Sequence, residues 1–147
     1  MEHSICLRMS IDPSTPISSV LEALGEKPKV IVVPSETPIS LALEECMRES
    51  CEFIKVEGEN EFVAPSHELV KRVRTEGKKP ISTLANEAIP SFDSYTSIQD
   101  VITTLILHGG DAAAITEDGR ILSVVTLKTL SKVIALEIDV EELRGAD

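Results

Sequence analysis

Apolar residues recur along this chain in two matching series. Ile39, Ala42, Leu43, Cys46 and Met47 are spaced i, i+3, i+4, i+7, i+8, and Ile98, Val101, Ile102, Leu105 and Ile106 repeat that spacing. Each series paints one stripe on a helix, and such a stripe has to be buried against something. A shared phrase precedes each: Pro16-Ile17-Ser18-Ser19-Val20 in the first half and Pro80-Ile81-Ser82-Thr83-Leu84 in the second. The chain is therefore doubled. A unit of about 60 residues buries only roughly 60% of the surface its unfolded chain exposes, so the halves are expected to pack on each other, with any ligand at the seam between them.

Between these landmarks the pattern predicts the remaining elements. Residues 1–15 form a leader whose only apolar patch is Ile5-Cys6-Leu7. Residues 16 to 24 read as a short helix ended by Gly25 and the charged loop Glu26-Lys27-Pro28-Lys29. The β-branched run from Val30 to Val33 reads as a buried strand that Pro34 stops. Thr37 before Pro38 is the arrangement of an N-cap followed by proline at the first helical position, and the striped helix should run to about Ser50. Two short strands follow, from Phe53 to Val56 and from Phe62 to Ala64, joined by Glu57-Gly58-Glu59-Asn60. A helix from near Ser66 should bury Leu69, Val70 and Val73 and lead into a basic linker of Lys71, Arg72, Arg74, Lys78 and Lys79.

In the second copy the strand from Ile89 to Phe92 contains Pro90, which cannot donate to a ladder, so it should be short or at an edge. Thr96 and Gln99 make a capping box ahead of the helix that ends at Gly109-Gly110. Strands from Ala112 to Ile115 and from Ile121 to Val125 form a hairpin about Asp118-Gly119. Thr126 caps a last helix that buries Leu127, Leu130, Val133 and Ile134, with an acidic tail from Glu137. The fold class is α/β (α+β), each half ordered helix, strand, helix, strand, strand, helix. The divisions are a leader (1–15), a first repeat (16–79), a second repeat (80–136) and a tail (137–147).

Composition narrows the function. Hydrophobic residues make up 42% of 147 residues and aromatics only 3%, so the interior is built from Ile, Val, Leu and Ala. The formal net charge of -11 disfavours nucleic acid and anionic membrane as partners, since both are bound through Lys and Arg. Cys6, Cys46 and Cys51 lack metal-ligand spacing and read as free thiols used as small hydrophobes, as in a reducing cytoplasm. No apolar run approaches the roughly 20 residues of a membrane span, and Met1-Glu2-His3-Ser4 does not open a signal peptide; the expectation is a soluble, cytoplasmic protein. His3, His67 and His108 are scattered, no nucleophile, base and orienter can be assembled, and no glycine-rich phosphate loop is present. The chain does not read as an enzyme.

The duplicated order, with Pro80-Ile81-Ser82 opening a copy and the run from Ala114 to Thr126 (Ala-Ile-Thr-Glu-Asp-Gly-Arg-Ile-Leu-Ser-Val-Val-Thr) closing one, resembles a tandem pair of CBS (cystathionine-β-synthase) domains, a Bateman module. The resemblance spans about Pro16 to Ala135. It implies two pseudo-symmetric repeats packed through their small sheets. It further implies a stand-alone regulatory module, a homodimer shaped as a flat disc, and a cleft for AMP, ADP, ATP or S-adenosylmethionine whose occupancy an unknown effector protein reads. The alternative is a structural or dimerisation module with degenerate nucleotide sites and no ligand.

The family's ribose pattern of glycine, Ser or Thr, then Asp falls on Ser123, Thr126 and Thr129, so the hydroxyl is kept while the glycine and the carboxylate are lost. A carboxylate accepts more strongly from ribose hydroxyls than a neutral hydroxyl does. In the first copy the pattern falls either on Pro65 and Glu68 or on Ser66 and Leu69, and pairing Val70 and Val73 with Leu130 and Val133 favours the latter. The candidate ligand-binding set is Thr126, Thr129, Asp111, Ala112, Ala113, Thr83, Lys128, Glu68 and Ser66. Ala112-Ala113-Ala114 would give a flat purine close approach to the backbone. Lys128, Lys132, Arg120 and His108 are the cations available to an anionic ligand. The plainer alternative is that Thr126 only caps its helix and the alanines only fit a tight sheet and helix contact.

Overall fold

In the computed structural model of the chain, residues 12–132 are described. The expectations for Ile5-Cys6-Leu7, Val133, Ile134 and the acidic tail lie outside them. The β-branched run forms β1 (Val30–Pro34), the first striped series forms α1 (Ile39–Glu49), and β2 (Phe53–Glu57) returns parallel to β1, with Ile31 opposite Ile54. A tight turn then brings β3 (Phe62–Pro65) back antiparallel to β2, and α2 (Ser66–Glu76) follows directly. The second half repeats this with β4 (Ser91–Asp93), α3 (Ile98–Leu107), β5 (Ala112–Glu117) and β6 (Arg120–Thr126), and residues 127–132 start another helix. The sheets have the orders β1-β2-β3 and β4-β5-β6. β4 is an edge strand of three residues, as Pro90 requires. Asp118 (φ 52°) and Gly119 (φ 78°) make the expected tight hairpin, both central residues having the positive φ of a turn that matches strand twist.

Ile17–Val20 and Ile81–Glu87 are short 3-10 helices, and each lies against the opposite half. Ile81 and Leu84 complete the core under the first sheet with Ile39, Ala42, Ile54 and Leu69. Ile17 and Val20 complete the second with Ile98, Val101, Leu105 and Ile115. The backbone bonds match in pairs. Ile39 N–H donates to Lys79 O (2.9 Å) and Ser40 N–H to Gly77 O (2.9 Å), while Ile98 N–H donates to Thr15 O (2.9 Å) and Gln99 N–H to Pro13 O (3.0 Å). In return Ile81 N–H reaches Thr37 O (2.7 Å) and Ile17 N–H reaches Thr96 O (2.8 Å). The N–H groups that a helix start leaves without intrahelical partners are thus satisfied by the main chain just ahead of each 3-10 turn.

This corrects both expected caps. Pro38, not Thr37, is the N-cap of α1 and makes no side-chain cap bond; the carbonyls of Gly77 and Lys79 take over that task. In α3 the N-cap is Ser97, whose Oγ accepts from Asp100 N (3.1 Å), rather than Thr96 with Gln99.

The stripes are buried at Ile39, Ala42 and Cys46 and at Ile98, Val101 and Leu105, with Leu43 and Ile102 at their margins. Met47 (72% exposed) and Ile106 (61%) face outward, contrary to expectation. At about 100° per residue, position i+8 lies roughly 80° round from i and slips off the stripe. Val70 is likewise exposed while Leu69 is fully buried, and β1 alternates, leaving Val32 exposed on an edge strand rather than buried on both faces. Of the expected basic linker, Lys71, Arg72 and Arg74 lie on α2 instead, where Arg72 pairs with Glu87 (2.8 Å), while Lys79 beyond the helix pairs with Glu76 (3.1 Å); the Lys79 hydrogen bond holds the Glu76 carboxyl below its ordinary pKa.

The expectation of free thiols is corrected for two cysteines. Cys46 near the end of α1 and Cys51 after the left-handed Ser50 form a disulfide, their Cα atoms 4.9 Å apart. That separation lies within the ordinary disulfide range, and the bond removes the cysteine argument for a reducing compartment.

Ile17→Ala and Ile81→Ala should each cost about 3 kcal/mol in urea denaturation, as buried aliphatic truncations do; a loss below about 1 kcal/mol would mean that the leading turns are not core elements. Reduction of the native protein should lower its stability by about 2 kcal/mol through the short closed loop, with Cys46→Ala/Cys51→Ala indifferent to the reductant. Equal stability of the native chain in both conditions would show that the bond does not form.

Candidate functional site

The two sheets meet through small side chains. Val63, Ala112, Ala114 and Val124 form a buried cluster with Val30, Phe53, Ile89 and Ile121 around it. Because the alanines let the sheets approach closely only along this line, space remains beside it. A cleft of about 620 Å³ opens there, bordered by Glu26, Lys27 and Pro28 ahead of β1, Glu52 and Phe53 at the start of β2, Asp111 before β5, and Thr126 to Thr129 with Ser131 after β6.

The local geometry follows from strand register. Ala112 pairs with Thr126, and Leu127 N–H donates to Asp111 O (2.7 Å), so Asp111 and Thr126 stand side by side where the last helix starts. Glu52 is tied to the loop before β1: its N–H donates to Lys29 O (2.8 Å) and its carboxylate accepts from Lys29 N (3.2 Å). Thr126 caps the last helix, its Oγ1 accepting from Thr129 N (3.2 Å) and donating to Thr129 Oγ1 (3.0 Å). That bond uses the Thr126 proton and leaves the Thr129 O–H for a ligand. The rim carries three carboxylates, Glu26, Glu52 and Asp111, against two ammonium groups, Lys27 and Lys128.

Of the residues singled out from sequence, Thr126, Thr129, Asp111 and Lys128 come together here. Ala112 and Ala113 do not line the cleft: Ala112 is buried between the sheets and Ala113 faces the core under α3. Thr83 is exposed elsewhere, its hydroxyl donating to Pro80 O (2.8 Å). Lys132, Arg120 and His108 are not among the lining residues. The register of the first copy is decided by geometry. Phe53 pairs with Pro65, and Ser66 N–H donates to Glu52 O (3.0 Å), as Ala112 pairs with Thr126 and Leu127 N–H binds Asp111 O. Pro65 therefore matches Thr126 and Glu68 matches Thr129, so the alternative favouring Ser66 and Leu69 is overturned; buried Leu69 matches buried Leu130. Glu68 keeps a carboxylate at the acid position, 3.2 Å from Lys71 and 3.4 Å from His67. Neither Ser66 nor Glu68 borders the cleft around Thr126.

Sequence reasoning missed Glu26, Lys27, Glu52 and Phe53 as cleft residues. The doubling offered one signal for them: segments leading into strands that flank the seam have to border it. Among the described residues no group of three or more His, Cys, Asp or Glu could hold a metal ion, and no helix is long and apolar enough to cross a membrane.

No protein-family model matches this sequence, and no curated protein matches it. Solved structures do. A CBS-domain containing protein from Agrobacterium tumefaciens superposes with a TM-score of 0.62 at 12% identity, covering 82% of this chain and 94% of that one. A hemolysin-like protein containing a CBS domain, from Oenococcus oeni, gives 0.61 at 20% identity, covering 88% and 95%. The CBS domain of a bacterial CNNM/CorC family Mg2+ transporter, solved in complex with ATP, gives 0.64 at 15% identity, covering 92% and 98%. At these identities the likeness is one of fold.

Thr126→Ala should cost about 1 kcal/mol of stability through the lost cap, measured by urea denaturation, while Thr129→Ala, which keeps the cap acceptor, should cost less. Equal and negligible effects of the two would contradict the capping geometry.

Proposed function

Because the fold is that of a tandem pair of CBS domains, we propose that this chain is a regulatory binding module that senses an adenine-containing metabolite at the seam between its repeats. The observation that carries the reading is the 620 Å³ cleft with Thr126, Thr129, Asp111, Lys27 and Lys128 on its walls. Its volume falls in the range of about 300–1,000 Å³ usual for small-molecule sites. Phe53 offers an apolar surface to a base, the Thr129 hydroxyl offers a partner to a ribose, and the two lysines offset ligand charge. The ligand is AMP, ADP, ATP or S-adenosylmethionine, and the ATP bound by the transporter CBS domain supports a nucleotide. The function is binding rather than catalysis, and a separate effector protein reads the bound state through a change in the angle between repeats.

A second reading, a structural module without a ligand, is favoured by one observation. The acid position beside the cleft is Thr129, whose hydroxyl bonds Thr126 instead of presenting a carboxylate. In either case the module works as a homodimer: Leu41 and Met47 on α1 and Ile106 and Leu107 on α3 are each more than half exposed, and a second copy would cover them.

Calorimetric titration with AMP, ADP, ATP and S-adenosylmethionine is expected to give saturable binding of at least one of them, with a Kd of roughly 10 μM to 1 mM. A flat response to all four at millimolar concentration would remove the sensor and leave the structural reading. Light scattering behind size exclusion is expected to give twice the chain mass, and Met47→Glu/Ile106→Glu to give the single mass.

A further inference from the structure

The two repeats end their striped helices alike but with different parts. Phe53 and Ala112 correspond by strand register, so Cys46, Ser50 and Cys51 correspond to Leu105, Gly109 and Gly110. Cys51 N–H donates to Cys46 O (2.9 Å) as Gly110 N–H donates to Leu105 O (2.8 Å), each behind a left-handed residue, Ser50 (φ 55°) or Gly109 (φ 66°). Glycine takes that conformation freely, whereas a residue with a Cβ is strained in it. Under the second turn Leu105 packs so closely that a Cβ on Gly110 would meet its Cδ2 at 3.1 Å. Under the first lies the Cys46–Cys51 bond. A turn that one repeat builds from relaxed parts is in the other strained at Ser50 and closed covalently.

The covalent turn carries one wall of the larger cleft. Lys29 is held by residues 49–53: its C=O accepts from Glu52 N–H (2.8 Å) and Phe53 N–H (3.2 Å), its N–H donates to the Glu52 carboxylate (3.2 Å), and its ammonium lies 3.6 Å from Glu49. Glu26, Lys27 and Pro28 on the cleft rim lead straight into Lys29, and Glu52 and Phe53 border the cleft themselves. Displacing Cys51 therefore displaces the wall.

Reduction supplies that displacement. The bond lies just beneath the surface: Cys46 and Cys51 are 3% and 8% exposed, while Met47, Arg48, Glu49, Ser50 and Glu52 around them are all exposed. The thiolate of a small monothiol, of the glutathione class, attacks Cys51 Sγ and expels the Cys46 thiolate, leaving a mixed disulfide. A second monothiolate attacks the reductant's sulfur in that mixed disulfide and expels the Cys51 thiolate. Two electrons and two protons thus pass to the cysteines, and the reductant leaves as its own disulfide. The freed thiols must separate to van der Waals distance, about 3.5–4.0 Å for heavy atoms. Both belong to the packed core under the first sheet, so the exposed turn is the side that yields, and Ser50 is released from its strained conformation.

We propose that the Cys46–Cys51 bond is a redox switch on the cleft wall, which holds residues 50–53 and Lys29 in place when closed and lets them loosen together when a small thiol opens it. The loosening is independent of the adenine reading of the cleft; its effect on a ligand rests on that reading. The test is 15N relaxation of the full chain in oxidised and in reduced glutathione, with alkylation and mass measurement reporting the state of the bond. Reduction is expected to lower the backbone order parameter at Lys29, Glu52 and Phe53 from about 0.85 to below about 0.6, leaving Gly109 to Ala112 unchanged. Cys46→Ser/Cys51→Ser should show the lowered values in both buffers. Ser50→Gly, which relaxes the turn, should raise the ratio of reduced to oxidised glutathione that opens half of the molecules by at least ~threefold. Unchanged order at Lys29 and Glu52 in protein shown to be reduced, equal loss of order at Gly109 to Ala112, or a bond that stays closed in about a hundredfold excess of reduced glutathione overturns the switch. Titration with AMP in both states separates the two readings: loss of order at Lys29 with no AMP binding in either state keeps the switch and removes the adenine reading.

Discussion

Two helix starts in this protein are completed by the main chain that leads into a 3-10 turn, each turn packs on the opposite half, and the architecture depends on that exchange. The N–H groups of Ile39 and Ser40 bond to the carbonyls of Lys79 and Gly77, and those of Ile98 and Gln99 bond to Thr15 and Pro13. A buried helix end with no partner costs more than the bond itself would contribute, so the segment that brings each turn onto the opposite core also closes that core's helix start. The apolar side of the exchange works in the same direction, since Ile81 and Leu84 fill the first core and Ile17 and Val20 fill the second. The leading phrase of each repeat therefore belongs energetically to its twin.

That arrangement sets up the seam. With each half anchored at one end by the exchanged turns, the sheets meet face to face over Val63, Ala112, Ala114 and Val124. Small residues at the centre and longer ones outside produce clefts at the margin rather than a void in the middle. The clefts are bordered by segments from both halves, with the loop before β1 and the start of β2 on one wall and the start of the last helix on the other. A molecule lodged there would touch both repeats at once. Lys55 and Glu61 extend the same logic in polar form, reaching from the first half to the main chain of Ile121 in the second.

Much of this was legible in the amino-acid sequence because its signals are local and periodic. The matching stripes located α1 and α3, the Asp118-Gly119 turn located the second hairpin, and Pro90 forecast the short edge strand β4. What was not legible involves residues far apart. Thr37 and Thr96 have the chemistry of caps, but the carbonyls of Gly77 and Lys79, about 40 residues further along the chain, took one role and the neighbouring Ser97 took the other. Met47 and Ile106 fit an ideal stripe and still lie outside it, because burial is decided by what faces the helix. The pairing of Cys46 with Cys51 depends on Ser50 adopting a left-handed conformation (φ 55°), which a serine does not announce. The cleft was half legible: Thr126 and Thr129 followed from the helix-start pattern and Lys128 from its charge beside them, Asp111 stood in the candidate set, and Glu26, Lys27, Glu52 and Phe53 read only as loop and strand punctuation.

The central claim is that the seam between the twin halves is a binding site whose walls come from both. Backbone amide chemical shifts in an 15N-labelled sample, followed as AMP and then ATP are added, test it most directly. The account predicts saturable shifts concentrated at Lys27, Phe53, Asp111 and Thr126 to Thr129, on both walls of the larger cleft. Shifts confined to one half, or no shifts at millimolar nucleotide, would contradict it.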